Sequence, residues 1–85
     1  MYGGLIRDIM LEWKDEARVK YIVLYRLKRE GNDYNDAKYK LIVCTNHPGP
    51  FIGCRGALIE KYRAKFSQVV RSDVFIEFVE TTDIV

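Results

Sequence analysis

Cysteine, proline and histidine are all scarce in this chain, and each shortage closes off a class of protein. Cys44 and Cys54 are the two cysteines among 85 residues. With 48% hydrophobic residues available for a core, they do not make a disulfide scaffold, and reduced thiols are expected. Adding the single histidine, His47, gives no zinc-like spacing and no fourth ligand, so no metal or other cofactor is expected. No apolar run approaches the roughly 20 residues that span a bilayer. The N-terminal MYGGLIRDIMLEW alternates charge with apolar residues where a signal peptide would have a continuous core. A cytoplasmic location is the expectation. A large charge imbalance is also missing: the net charge is +2, too small to mark a nucleic-acid binder by itself.

What is present is ordinary globular composition, with 31% charged residues and no low-hydrophobicity segment of the disordered kind. The length allows one core, so residues 1–85 are expected to form a single domain. Charge is distributed in blocks. Residues 1–17 carry four acids against Arg7 and Lys14, residues 18–40 carry seven bases against three acids, and residues 41–72 carry five bases against Glu60. The tail from Asp73 onward holds only acids, so a basic middle lies between acidic ends.

Periodicity divides the chain into elements. Leu5, Ile6, Ile9, Met10, Trp13 and Ala17 form one apolar stripe at helical spacing, predicting a helix over about 4–17. β-Branched and aromatic residues crowd residues 19–27 and predict a strand. GNDYNDAK, residues 31–38, reads as a hairpin loop. KYKLIVCT then resumes a strand, which NHPGP stops because proline offers no ladder donor. Leu58, Ile59, Tyr62 and Phe66 repeat at helical spacing and predict a helix over about 56–67, and VFIEFVE predicts a third strand. The expected architecture is α+β, a three-stranded sheet with helices packed on one face. In this reading Tyr21, Val23, Tyr25 and Leu27 share one side of the first strand. Ile22 and Leu24 then join Ile42 and Cys44 on an outer sheet face apolar enough to need a cover, and a homodimer through those four residues is expected.

The stretch HPGPFIGCRGALIEKYRAKF carries the strongest motif. Two glycines three apart, Gly53 and Gly56, flank Cys54 and Arg55 immediately before a helical pattern. A helix starting near Gly56 turns its unpaired N–H groups and positive dipole end toward the loop, where phosphate is favoured. The glycines remove side chains that would hold a ligand away, and Arg55 adds a cation.

Pro48, Gly49, Ile52, Gly53, Gly56, Ile59, Glu60, Lys61 and Arg63 match, in place, the P-G-x-x-I-G-x-x-G-x-x-I-E-K-x-R pattern of KH domains. The chain resembles the type II version in particular, whose element order is α-β-β-α-α-β. The resemblance implies a non-enzymatic domain that binds single-stranded RNA, or single-stranded DNA, clamping about four nucleotides with the GxxG loop and laying their bases in an apolar groove. Phe51, Ile52, Gly53, Cys54, Arg55, Gly56 and Ala57 would line the site. Lys28, Arg29 and Lys38, at the ends of the variable loop, would touch outer phosphates. One cation between the glycines implies modest affinity, and Glu77, Glu80 and Asp83 would oppose phosphate if they faced the groove. The basic run from Lys61 to Arg71 would widen the electrostatic footprint. The alternative is a protein-interaction or oligomerisation module with the same fold and a lapsed groove.

Overall fold

Trp13 decides how the first helix meets the rest of the chain. In the computed structural model, which describes residues 3–30 and 38–80, the chain runs through helix α1 (Gly3–Glu16), strands β1 (Leu24–Glu30) and β2 (Lys38–Cys44), and the single-turn helix α2 (Gly49–Ile52). A 3₁₀ turn (Cys54–Gly56), helix α3 (Ala57–Val70) and strand β3 (Val74–Val79) complete it. The apolar stripe of α1 is buried at Ile6, Met10 and Trp13. Trp13 is fully enclosed: its ring stacks on Tyr62 of α3 at 5.5 Å and meets Phe51 of α2 edge-on at 5.2 Å. Phe66 and Phe78 complete the cage. The indole Nε1–H donates to the Phe51 carbonyl at 3.0 Å, so burying this polar atom leaves no donor unpaired.

The sheet order is β1-β2-β3, with β1 antiparallel and β3 parallel to β2. A parallel neighbour needs a crossover, and α2, the 3₁₀ turn and α3 supply it. Alternation along the strands sets the two faces. The rows Tyr25–Val43–Phe78 and Leu27–Leu41–Ile76 belong to the core-facing side, where Leu41 and Val43 are fully buried. The α+β sandwich with helices on one face is the expected architecture.

Both main helices end on arginines in the left-handed region, Arg18 at φ 60° and Arg71 at φ 55°, positions where glycine is usual. The Val19 N–H donates to the Lys14 carbonyl, and the Ser72 N–H to that of Ser67, closing both helix ends.

Three expectations are corrected. The first strand begins at Leu24, five residues later than the β-branched run suggested. Residues 19–23 instead form a connector: Val19 is buried beside the core, and the Tyr21 hydroxyl meets Thr45 Oγ1 at 2.8 Å. Helix α3 continues three residues past the predicted end, so that Val70 is buried too. Ile22 is not on the outer sheet face. It precedes β1 and is 86% exposed. The outer rows are Leu24–Cys44–Val79, Arg26–Ile42–Glu77 and Lys28–Lys40–Phe75, and a Lys40–Glu77 ion pair at 3.0 Å crosses them. Leu24, Ile42 and Cys44 do share the outer face, together with Val79 and a 61% exposed Phe75, but Arg26, Lys28, Lys40 and Glu77 are interleaved with them. The hairpin loop expected over 31–38 lies outside the described residues except for Lys38. Among the described residues, no helix is long and apolar enough to cross a membrane.

Helices α1 and α3 are also tied by charge. Lys61 Nζ donates to both Glu16 carboxylate oxygens, at 2.8 and 3.1 Å, the Tyr62 hydroxyl donates to Glu16, and Lys65 pairs with Glu12. The hydrogen bond from Lys61, and then that from Tyr62, hold the Glu16 carboxyl below its ordinary value of 4.5. The unfolded state therefore takes up this proton first as pH falls, and the contribution of Glu16 is lost in acid. Burial, then the hydrogen bond to Glu16, push the Tyr62 phenol well above its ordinary value of 10.0. Its contribution is present below that value and lost above it. Urea midpoints measured across pH are expected to fall at both extremes. Glu16→Gln should flatten the acid limb and Tyr62→Phe the alkaline limb. Limbs as steep as in the wild type would show that neither group is linked to folding.

Candidate nucleic-acid interface

The approach to the GxxG loop is built from a buried hydroxyl. Thr45, the one buried polar residue among those described, accepts from the His47 N–H at 3.1 Å and meets the Tyr21 hydroxyl, while its own N–H donates to Val79. Pro48 then starts α2, its carbonyl accepting from the Phe51 and Ile52 N–H groups, and Pro50 sits in the first turn where a missing donor costs nothing. No resemblance or spacing marks Tyr21 as a partner of Thr45. That contact appears only when the connector folds back on the end of β2.

Helix α2 stops at Gly53, whose φ of 76° and ψ of −176° lie in a region that essentially only glycine occupies. Arg55 follows in the left-handed region at φ 55°, ψ 28°, and Gly56 at φ 75°, ψ 12°. Ala57 returns to helical geometry and α3 begins. A non-glycine residue held left-handed stores about 1 kcal/mol, which the flanking turns must offset. Cys54, Arg55 and Ala57 are exposed, Ile52, Gly53 and Gly56 half-buried. No side chain caps the start of α3. The Ala57 N–H donates to the Cys54 carbonyl, so the helix offers mainly its positive dipole end, two residues from Arg55, which is exposed and has no ion-pair partner among the described residues.

The two glycines serve different purposes. A Cβ on Gly53 would stand 2.7 Å from the Leu58 Cβ and 3.1 Å from the Leu58 nitrogen. Gly53 is therefore bare because α3 packs against it, a reason inside the protein and distinct from the ligand access expected of it. A Cβ on Gly56 would meet only Ile59 Cγ2, at 3.9 Å, so its positive φ is the whole constraint.

Other expected site residues are redistributed. Phe51 is fully buried against Trp13 and Phe78, a core residue that cannot form a groove wall with its side chain. Lys61, Lys65 and Arg63 are engaged with Glu16, Glu12 and Glu60, which removes most of the expected helical footprint. Lys28, Arg29 and Lys38 are exposed, but the register sets them at the β2 start, a strand length of roughly 20 Å from the end that leads into α2. Glu77 lies on the outer face, paired with Lys40, and so is turned from the helices. Glu80 is exposed just after β3, and Asp83 lies outside the described residues. Among the described residues no group of three or more His, Cys, Asp or Glu side chains is placed to hold a metal ion.

Two curated proteins are similar to this chain. The small ribosomal subunit protein uS3 of Acidobacterium capsulatum is 33% identical over 78 residues, covering 89% of this chain and 33% of that protein. The uS3 protein of Azorhizobium caulinodans is 32% identical over 75 residues, covering 88% and 27%. The fold is KH-like. The chain spans a third or less of the length of these curated relatives. No family model matches the chain, and no solved structure gives a significant match.

The glycine geometry separates fold from loop. Gly53→Ala adds backbone strain to a collision with Leu58, and a loss of about 3 kcal/mol or more in unfolding free energy is expected. Gly56→Ala adds only the left-handed penalty, about 1 kcal/mol. Urea denaturation checks the order, and equal losses would contradict it.

Proposed function

We propose that this chain binds single-stranded nucleic acid, RNA in preference to DNA, through the loop from Gly53 to Gly56, and that it performs no catalysis. The observation that carries this reading is an exposed, left-handed Arg55 with no ion-pair partner among the described residues, two residues before the positive end of α3. The positive end of α3 and one guanidinium suit a phosphate, with Ile52 and Ala57 flanking it. Similarity over nearly nine-tenths of the chain to proteins named for the small ribosomal subunit supports RNA as the partner. The order α-β-β-α-α-β, with β3 parallel to β2, supports the type II variety of the KH fold.

The geometry also bounds the strength. One guanidinium and a helix start neutralise one or two phosphates, and Lys28, Arg29 and Lys38, at the β2 start, can add to them on a longer strand. Binding by a single copy should be weak and should show a shallow salt slope.

Fluorescence anisotropy of labelled single-stranded RNA and DNA tests the reading. The wild type should bind RNA, losing affinity as salt rises. Cys54→Asp combined with Arg55→Asp, both at exposed positions, should reduce affinity at least about tenfold while circular dichroism stays native. Unchanged binding in the folded double variant would remove the loop from the interface.

A further inference from the structure

Helix α1 carries only two basic residues, Arg7 and Lys14, and both line a groove on the opposite flank from its acidic contacts with α3. The groove holds about 260 Å³. From α1 it takes Arg7, Met10, Leu11 and Lys14, which recur at i, i+3, i+4 and i+7 and so form one stripe. From the chain entering β1 it takes Ile22, Val23 and Tyr25. Leu11 is 52% exposed and Ile22 86%, an unusual cost for two aliphatic side chains on adjoining walls of one depression. Of the four acids of α1, Glu12 and Glu16 are bound to α3, and none of the four lines the groove. Neither Arg7 nor Lys14 has an ion-pair partner among the described residues. The mouth is therefore cationic and the floor apolar.

The groove borders an open sheet edge. Strand β1 pairs only with β2 among the described residues, leaving the backbone groups of its other side without a strand. A helix stripe facing an edge strand across an apolar trough suits an extended peptide, whose backbone extends the sheet and whose alternate side chains enter the trough. The volume fits one or two side chains and is small for a cofactor. Tyr25 is the one aromatic ring in a lining otherwise of Met, Leu, Ile and Val, so a run of bases finds little to stack on, which disfavours nucleic acid.

We infer that the groove between α1 and the start of β1 is a docking site for an extended segment of a partner protein, carrying aliphatic anchors flanked by Asp or Glu. The anchors fill the space over Met10 and Val23, the carboxylates meet Arg7 and Lys14, and the backbone adds to β1. This site is independent of the Gly53–Gly56 loop, so the domain can hold a nucleic acid and a protein together.

The test uses the full chain labelled with ¹⁵N and two pools of nonapeptides. One pool alternates Leu, Ile, Val or Phe with Asp or Glu; the other replaces the acids by Lys. The acidic pool should shift the amides of α1 and of residues 21–26 and slow hydrogen exchange along β1, while the basic pool should not. Arg7→Glu with Lys14→Glu should weaken the acidic pool about tenfold, as should Ile22→Asp. Cys54→Asp with Arg55→Asp should leave it unchanged, which separates this site from the loop. The inference is overturned by equal binding of both pools, by absence of shifts at millimolar peptide, or by shifts confined to the loop. Shifts of the groove that grow with protein concentration alone would also overturn it, assigning the surface to a second copy of this chain.

Discussion

The hydrogen bond from Trp13 to the Phe51 carbonyl is the constraint on which the site depends. Helix α2 is a single turn, too short to persist by itself, and the loop after it holds Arg55 in a strained conformation. What fixes that turn is its burial: Phe51 is enclosed by Trp13 and Phe78, and its carbonyl is held at 3.0 Å by an indole from the other end of the chain. Leaving such a carbonyl buried and unpaired costs about 1–3 kcal/mol, so the core and the loop stand or fall together. On the other flank Thr45 fixes the entry to the turn, and Leu58 forbids a side chain at Gly53. The loop is positioned from both sides by groups that never face a ligand.

Charge is allocated along the same lines. The acidic faces of α1 neutralise Lys61 and Lys65, so a helix rich in bases contributes little net field at its start. This leaves Arg55 as the local cation at the loop and Arg7 and Lys14 as the cations at the α1–β1 groove. The proposed functions occupy separate surfaces because the interhelical pairs absorb the charge between them. Exposed ion pairs of this sort contribute little individually to stability. Their larger effect is to decide where the remaining positive charge is available.

Much of this was legible in the residues. The periodicity of α1 and of Leu58, Ile59, Tyr62 and Phe66, the strand pattern around Leu41 and Val43, and the order of elements all follow from local spacing, which reports which side of an element is buried. The glycine pair and the following helix were legible for the same reason, since positive φ and a helix start have local signatures. Residues 19–23 misled because β-branched and aromatic residues suit a strand and also suit a connector that buries Val19 and hydrogen-bonds Tyr21 to Thr45. Phe51 misled because a motif gives position along the chain and says nothing of which way a side chain turns.

The sequence by itself determined the α-β-β-α-α-β order, the apolar stripes that make the core and the place of the loop, because each rests on interactions between residues a few positions apart. Only the tertiary structure decided that Gly53 is bare for Leu58, that Phe51 belongs to the core and that the bases of α3 are taken up by Glu12 and Glu16. It alone also brought Arg7 and Lys14 to a groove beside the edge strand. Those outcomes depend on contacts between segments far apart along the chain, and residue spacing carries no record of which distant partner a side chain meets.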